Sequence, residues 1–300
     1  FEQFDLPTGS TAIFNLEDTN FDNVRNILNR VTQGNPSEIN GLIEVLGGNN
    51  PNLYLLNPSG IIFGSQASLN IPADFTVSTA TQLDFGNNSW LESSQTSDYS
   101  NFDGLPTAFG FNAANGTIIN AADLAVGTNQ NLNFLATTVI NTGTLTAPAG
   151  SITVTAVPGI NTVRLSQPGS LLSLEFEPSL NGGTSISALD LADLLTDVDP
   201  AISGVDFELD LAIENDLIKT ATEIILPSET GLVINEGSLS LGSGSLNVIG
   251  NKVAFLAGEI TGNRLDIQAI ESFFAAPGTD LLQQMATLRL MRIRLMFMVL

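Results

Sequence analysis

The chain repeats one sequence pattern at two distant places. NTGTLTAPAGSITVTA (Asn141–Ala156) aligns without gaps on NEGSLSLGSGSLNVIG (Asn235–Gly250), with Asn, Gly, Leu, Ser and Val at matching offsets. In both copies apolar residues alternate with small polar ones, which is the period of a pleated strand with one buried face. A unit of this kind cannot bury its apolar face alone, so its copies must stack on one another. The repeat therefore predicts a solenoid of short strands.

The same alternation recurs along most of the chain. It is carried by Leu69, Ile71, Phe75 and Val77, by Leu132 and Phe134, by Ile152 and Val154, by Phe207, Leu209, Leu211 and Ile213, by Leu246 and Val248, by Val253 and Phe255, and by Leu265 and Ile267. Asn-Gly pairs between these segments supply turn positions with positive φ. A sandwich of hairpins uses the same turns, and the internal repeat decides in favour of stacked coils.

A second repeated phrase gives an expected coil length. FLATTVINTG (Phe134–Gly143) is echoed by FLAGEITG (Phe255–Gly262). The glycines taken to open successive coils then stand 25 to 27 residues apart, within the roughly 20–50-residue periods of solenoids. We predict an all-β fold, a right-handed single-stranded parallel β-helix with a small acidic helical insertion.

Composition removes several classes of function. The chain carries 31 acidic against 9 basic residues, for a net charge of −22, so its surface repels nucleic acid and anionic lipid. It contains no cysteine and no histidine, which excludes disulfides, the usual zinc sites and histidine-based acid–base chemistry. We accordingly expect no catalytic residues, cofactor or metal, and no nucleic-acid partner.

Two segments depart from the strand pattern. Leucines at helical spacing predict a helix over Ser187–Val198, inside an acidic stretch that we assign to an insertion leaving the coils. Its Asp197, Asp199, Asp206 and Asp210 suggest either a calcium site or, as we favour, a solvated charged face. Asn20–Val31 fits a helix as well as an irregular strand and stays open.

One stretch resembles a known family. The pieces are Asn35–Pro36–Ser37 with Ile39–Asn40–Gly41–Leu42–Ile43, then LLNPSGIIFG at Leu55–Gly64, and then Ser78–Thr79–Ala80. Together they resemble the N-terminal secretion domain of two-partner-secretion exoproteins, the filamentous-haemagglutinin family of adhesins. Thr162–Phe176 is similar to the β-helical body of that family. The chain also contains NPNL (Asn50–Leu53), a second family motif, but directly before NPSG, so we do not carry its role over.

The resemblance implies a secreted or surface-attached adhesin and a partner. The family is exported across the inner membrane by a signal peptide and then through an outer-membrane β-barrel transporter, whose periplasmic domains recognise this region. On the residues alone, Asn57, Pro58, Ser59 and Gly60 form a tight turn, with Pro58 presetting φ and Gly60 permitting the left-handed region. With Ile61 they are our candidate transporter-recognition motif, and the turn also fits a purely structural corner. A cell-surface or glycan target would be a further partner.

We divide the chain into a secretion domain (1–100), coils (101–180), an acidic helical insertion (181–205), further coils (206–270) and an atypical tail (271–300). The tail is read as a truncation or frameshift end, or as a cationic amphipathic segment. Two alternatives to the adhesin are a polysaccharide-active β-helix enzyme and an inert structural solenoid. The enzyme requires a groove with at least two carboxylates and a Lys or Arg. Trp90 and Tyr99 either bind a sugar or, as we favour, cap a loop onto the solenoid.

Overall fold

A computed structural model describes residues 1–18, 21, 23–86, 90–92, 104–111, 116–158, 161–164, 173–175, 212–214, 217–219, 231–275, 279, 287–290 and 294–296. The regular elements in this part of the chain are short strands: β1 (Thr11–Leu16), β2 (Asn26–Arg30), β3 (Ser37–Ile39), β4 (Leu42–Gly47), β5 (Asn52–Leu56), β6 (Ile61–Phe63), β7 (Ser68–Asn70), β8 (Phe75–Ser78), β9 (Gln82–Asp84), β10 (Trp90–Glu92), β11 (Ala108–Phe111), β12 (Thr117–Asn120), β13 (Asp123–Ala125), β14 (Leu132–Ala136), β15 (Thr138–Asn141), β16 (Thr144–Thr146), β17 (Ser151–Ala156), β18 (Asn161–Arg164), β19 (Ser173–Glu175), β20 (Ala212–Glu214), β21 (Leu217–Lys219), β22 (Leu232–Asn235), β23 (Ser238–Ser240), β24 (Ser245–Phe255), β25 (Ile260–Thr261), β26 (Arg264–Ala275), β27 (Thr287–Leu290) and β28 (Arg294–Met296).

The strands wind into a parallel β-helix with three sides. The first side stacks β3, β6, β12, β15 and β22, and then the C-terminal halves of β24 and β26. The second side runs from β1 through β4 and β7 to β13, β16, β23 and β25. The third side stacks β2, β5, β8, β14 and β17, and then the N-terminal halves of β24 and β26. Strands β27 and β28 continue the third and first sides beyond β26. The parallel β-helix predicted from the sequence is therefore confirmed.

One coil advances the chain by about twenty residues. Ile118 pairs with Val139 on the first side, so 139 − 118 = 21 residues separate them. Leu132 pairs with Ile152 on the third side, which gives 152 − 132 = 20. The predicted coil length of 25 to 27 residues is wrong.

The error arose because the glycines that were compared stand at different corners of the coil. Gly116 accepts a hydrogen bond from the backbone of Thr137, in the turn between the third and first sides. Gly143 instead stacks on Ala122, in the turn between the first and second sides. A glycine-to-glycine spacing that crosses from one corner to the next exceeds a full turn.

The distant repeat does mark equivalent coil positions. Asn141 pairs with Asn235 and Ser151 pairs with Ser245, and both pairs share the offset of 94 residues on which the two copies align. The two copies are neighbouring coils, and the intervening chain leaves the solenoid between them. The repeat was the most informative single feature of the sequence.

The core fills the inside of the coils with the predicted alternating residues. Phe75, Val77, Leu132, Phe134, Ile152, Val154, Leu246, Val248, Val253, Phe255, Leu265 and Ile267 are buried in one cluster. The Phe63 ring stacks on that of Phe134 with centroids 6.0 Å apart, and it meets the Phe75 ring edge-on at 6.3 Å. Asn26–Arg30, left open between helix and strand, is a strand, with Ile27 against the core.

A second, antiparallel sheet lies outside the coils. It has the order β10-β9-β11-β18-β19, and we call it the side sheet. Its Leu83, Leu91 and Phe109 are buried in a cluster with Tyr54 and Leu56, which belong to the third side of the solenoid. The chain enters it after β8 and again after β17. Part of the segment expected among the coils, at 162–164 and 173–175, therefore forms strands of the side sheet instead.

Some predictions lie outside the described residues. These include the helix over Ser187–Val198, the four aspartates of the suggested calcium site, and Tyr99. The domain boundaries drawn on the sequence also stay predictions. In the part of the chain that the structure covers, we find no helix long and apolar enough to span a bilayer.

Candidate functional site

The NPSG segment forms the turn between β5 and β6, at the corner where the third side meets the first. The Gly60 amide donates to the Asn57 carbonyl at 3.1 Å, and the Ser59 amide donates to Asn57 Oδ1 at 3.0 Å. Gly60 has φ 124°, a conformation that favours glycine. The tight turn predicted from these residues is present. We call Asn57–Gly60 the NPSG corner.

Asn57 ties this corner to the coils on both sides of it. Its side chain is fully buried, and Nδ2 donates to the Asn35 carbonyl at 2.9 Å and to Ser37 Oγ at 3.0 Å in the preceding coil. Its backbone amide donates to the Ser78 carbonyl at 3.0 Å in the following coil. Buried amide groups bonded in this way fix a turn because leaving any of them unpaired costs about 1–3 kcal/mol.

The third family segment, Ser78–Thr79–Ala80, meets the same corner. Thr79 Oγ1 donates to the Gly116 carbonyl at 3.2 Å, and its amide donates to the Leu135 carbonyl at 3.0 Å. A Cβ at Gly116 would lie 2.5 Å from both the Pro58 carbonyl oxygen and Thr79 Cβ, so only glycine fits there. Two motifs about twenty residues apart in sequence are thus packed into one column by the coil period.

The five candidate residues differ in what they offer to a partner. Asn57 and Ile61 are fully buried and Gly60 is buried, with Ile61 projecting into the core. Pro58 and Ser59 are half-buried and lie at the surface. The structure brings all five together in one turn, and two of them are accessible from outside.

The NPNL segment lies at a different corner, between the second and third sides. Asn50 has φ 50° and Pro51 is buried, while Leu53 begins β5 inside the core. Asn52 Nδ2 donates to Asn26 Oδ1 at 3.1 Å, which links the corner to the preceding coil. The described contacts of this segment are those of a structural turn.

Tyr54 is the titratable group whose environment is most altered within the described residues. It projects from β5 under the side sheet, and burial, together with the nearby charge of Asp74, raises its pKa from 10.0 to about 12. Both causes favour the neutral phenol. The residue is a packing element of the side-sheet interface.

Sequence reasoning missed the side sheet, where Trp90 lies. The Trp90 ring packs over Gly110, since a Cβ there would approach Trp90 Cζ3 to 3.2 Å. Gln82 Nε2 donates to Glu92 Oε1 at 2.6 Å beside it. Trp90 is half-buried, as in the interpretation that it caps an extension onto the solenoid.

Metal and catalytic groupings were sought in the described part of the chain. It contains no group of three or more His, Cys, Asp or Glu residues suited to a metal ion. Arg264 Nη2 lies 3.2 Å from Asp266 Oδ2, which pairs one guanidinium with one carboxylate. The groove with two carboxylates that the enzyme alternative requires does not appear among these contacts.

Known proteins were compared with the chain as a whole. The HMW1 secretion domain from Haemophilus influenzae, a crystal structure, resembles this fold with a TM-score of 0.52 at 17% identity. The likeness covers 91% of this chain and 55% of the HMW1 chain, so this chain spans about half of that solved domain's length. At this identity the likeness concerns the fold alone. No curated protein matches the chain.

The family comparison is specific. The family described as the TPS secretion domain, where TPS denotes two-partner secretion, matches residues 1–204. These residues are more than half of the 300-residue chain and include the NPSG corner. The family is defined by secretion and not by a chemical reaction. The chain therefore belongs to the TPS secretion domain family.

Proposed function

We propose that this chain is the N-terminal region of a secreted adhesin, and that an outer-membrane β-barrel transporter recognises it at the NPSG corner through periplasmic domains. Family membership supports the secretion role. The observation that carries the choice of corner is the contrast inside the motif. Pro58 and Ser59 lie at the surface while Asn57 is locked in place beneath them.

A corner of this kind suits recognition because it is held rigidly. Binding residues are most precise when a stiff scaffold presents them and buried hydrogen bonds hold their backbone. Asn57 supplies those bonds to the coils before and after it. In this proposal Asn57, Gly60 and Ile61 position the corner, and Pro58 and Ser59 contact the transporter.

The coils are proposed to form the base of an adhesive shaft. Each coil offers its strand edges to the next, so a folded coil is a template for the chain that follows it. The absence of cysteine and the net charge of −22 suit a chain that crosses a pore unfolded, because no thiol can crosslink and the segments repel one another. The adhesion target, a cell surface or a glycan, belongs to the same proposal.

An export assay tests the recognition role. The secreted protein, with its signal peptide and a reporter, is expressed with and without the barrel transporter identified in its gene neighbourhood. Ser59→Arg adds bulk and charge at an accessible position of the corner. Thr128→Arg makes the same change at an exposed turn between the second and third sides, and it is the matched control.

We expect transporter-dependent export of the parent protein and the Thr128→Arg variant, and loss of export in Ser59→Arg. Urea unfolding of the purified variants has to show unchanged midpoints, which separates recognition from stability. Normal export of a folded Ser59→Arg protein would remove the corner from recognition. Export that is independent of the transporter would favour the inert solenoid.

A further inference from the structure

The outer face of the first side carries a continuous row of isoleucines. Ile62, Ile119, Ile140 and Ile234 are register partners on four successive strands, β6, β12, β15 and β22. They alternate with residues of the core cluster and form a separate cluster of their own. We call these four residues the outer isoleucine row.

The row is covered although it faces away from the core. Ile62, Ile119, Ile140 and Ile234 are only 0, 2, 5 and 9% exposed. An outward position on a solenoid strand ordinarily contacts water, and contiguous apolar surface of this kind marks an interaction site. Another part of the protein must therefore lie on this face.

The backbone of the β20–β21 hairpin lies next to this face. Strand β21 approaches β6 to within 8 Å between Cα atoms. Both edges of β6 are already occupied, by β3 and by β12, and its inner side is filled by the core. The hairpin can approach β6 only from outside, where Ile62 projects.

The hairpin has one face suited to the row. Ile213 and Ile218 are register partners in this antiparallel pair, so the pleat places them on the same face. The opposite face takes Glu214 with Leu217 and Ala212 with Lys219. An apolar pair on one face and charges on the other match a strand pair laid on an apolar sheet.

We propose that the outer isoleucine row is the docking surface for the β20–β21 hairpin, with the Ile213–Ile218 face against the sheet. The hairpin lies about 150 residues after β6, and the chain then returns to the solenoid at β22, which carries the last isoleucine of the row. In export from the N-terminus, the row stays uncovered until the hairpin emerges. Docking therefore closes this face after the first coils have stacked. The inference does not depend on transporter recognition.

Disulfide trapping tests the docking directly, because the chain has no cysteine of its own. Ile62→Cys is combined with Ile218→Cys in the full chain, and with Leu217→Cys as the matched control on the opposite face. After mild oxidation we expect an intramolecular disulfide in the first pair at least about tenfold above the second, since a disulfide needs close Cα atoms and convergent Cβ vectors. Equal yields, no bond in either pair, or a bond between two chains would overturn the proposal.

A second measurement leaves the solenoid unaltered. Ile218→Asp places a charge on the docking face, and Leu217→Asp places the same charge on the other face. With the dye 8-anilinonaphthalene-1-sulfonate, we expect several-fold higher fluorescence for Ile218→Asp and parent-like fluorescence for Leu217→Asp. Equal fluorescence in the two variants would contradict the assignment of faces, whatever the trapping yields.

Discussion

The buried asparagine ladder gives the sharpest test of coil stacking. Asn120 Nδ2 donates to Asn141 Oδ1 at 2.8 Å, and Asn141 Nδ2 donates to Asn235 Oδ1 at 2.8 Å. The second bond joins residues 94 positions apart, which only neighbouring coils bring together. The perturbation is Asn141→Ala, alone and combined with Asn235→Ala.

The expected magnitude follows from the bonds that are lost. Asn141→Ala removes the bond from Asn120, the bond to Asn235 and a 3.2 Å bond from Nδ2 to the Gly143 carbonyl. Each bond contributes about 1 kcal/mol net, and a buried oxygen left unpaired costs about 1–3 kcal/mol more. Asn235 Oδ1 loses this partner in a residue only 2% exposed. We expect a loss of about 3–5 kcal/mol in the free energy of unfolding.

The assay is urea unfolding of the four proteins of a double-mutant cycle. We expect the losses from Asn141→Ala and Asn235→Ala to be non-additive by about 1–2 kcal/mol, within the range for residues in contact. The control cycle pairs Asn141→Ala with Asn52→Ala, which stands at another corner and bonds to Asn26. Its effects should add within about 0.5 kcal/mol. Additivity in the first cycle would refute the stacking of these coils.

Two further predictions concern a glycine column and a buried phenol. Gly237→Ala should destabilise the fold by about 3 kcal/mol or more in urea, because its Cβ would lie 1.7 Å from the Gly143 carbonyl oxygen. Gly34→Ala, with open space around its Cβ, should change stability by less than about 1 kcal/mol, and an equal loss in both would contradict the column. The raised pKa of Tyr54, about 12, means that the folded state holds its proton more tightly than the unfolded state does. Stability should therefore fall by up to about 2–3 kcal/mol as pH rises from 10 to 12, and Tyr54→Phe should abolish this fall. A Tyr54→Phe protein with the same alkaline loss would contradict the assignment.

Local alternation made the solenoid predictable. Residues such as Phe75, Phe134 and Leu246 point inward because a strand on the wall of a solenoid has one buried face. The repeat at an offset of 94 residues then identified equivalent coils. The coil length was not predictable from glycines, because glycine serves more than one corner of the same coil. Gly116 and Gly143 show this directly.

The side sheet and the outer isoleucine row were beyond the sequence reasoning for a common reason. Strands β11 and β12 are buried on both faces, so their apolar residues run continuously and carry no period-two signal. Ile118 and Ile119 are adjacent in sequence, yet one faces the core and the other the cover. Continuous runs such as Ile61–Phe63 were the available clue, because they require a second layer outside the coil.

The candidate corner was predicted as a turn, and its geometry is confirmed. The buried position of Ile61 was not predicted, since a motif read along the chain does not separate inward from outward residues. The recognition role of Pro58 and Ser59 stays a proposal.

Binding of the folded domain to the transporter tests that role most directly. The purified periplasmic domains of the transporter are titrated into the folded chain by calorimetry. We predict that Ser59→Arg weakens binding at least about tenfold, about 1.4 kcal/mol, while Thr128→Arg binds like the parent protein. Parent-like affinity of a folded Ser59→Arg variant, or equal weakening by Thr128→Arg, would contradict recognition at the NPSG corner.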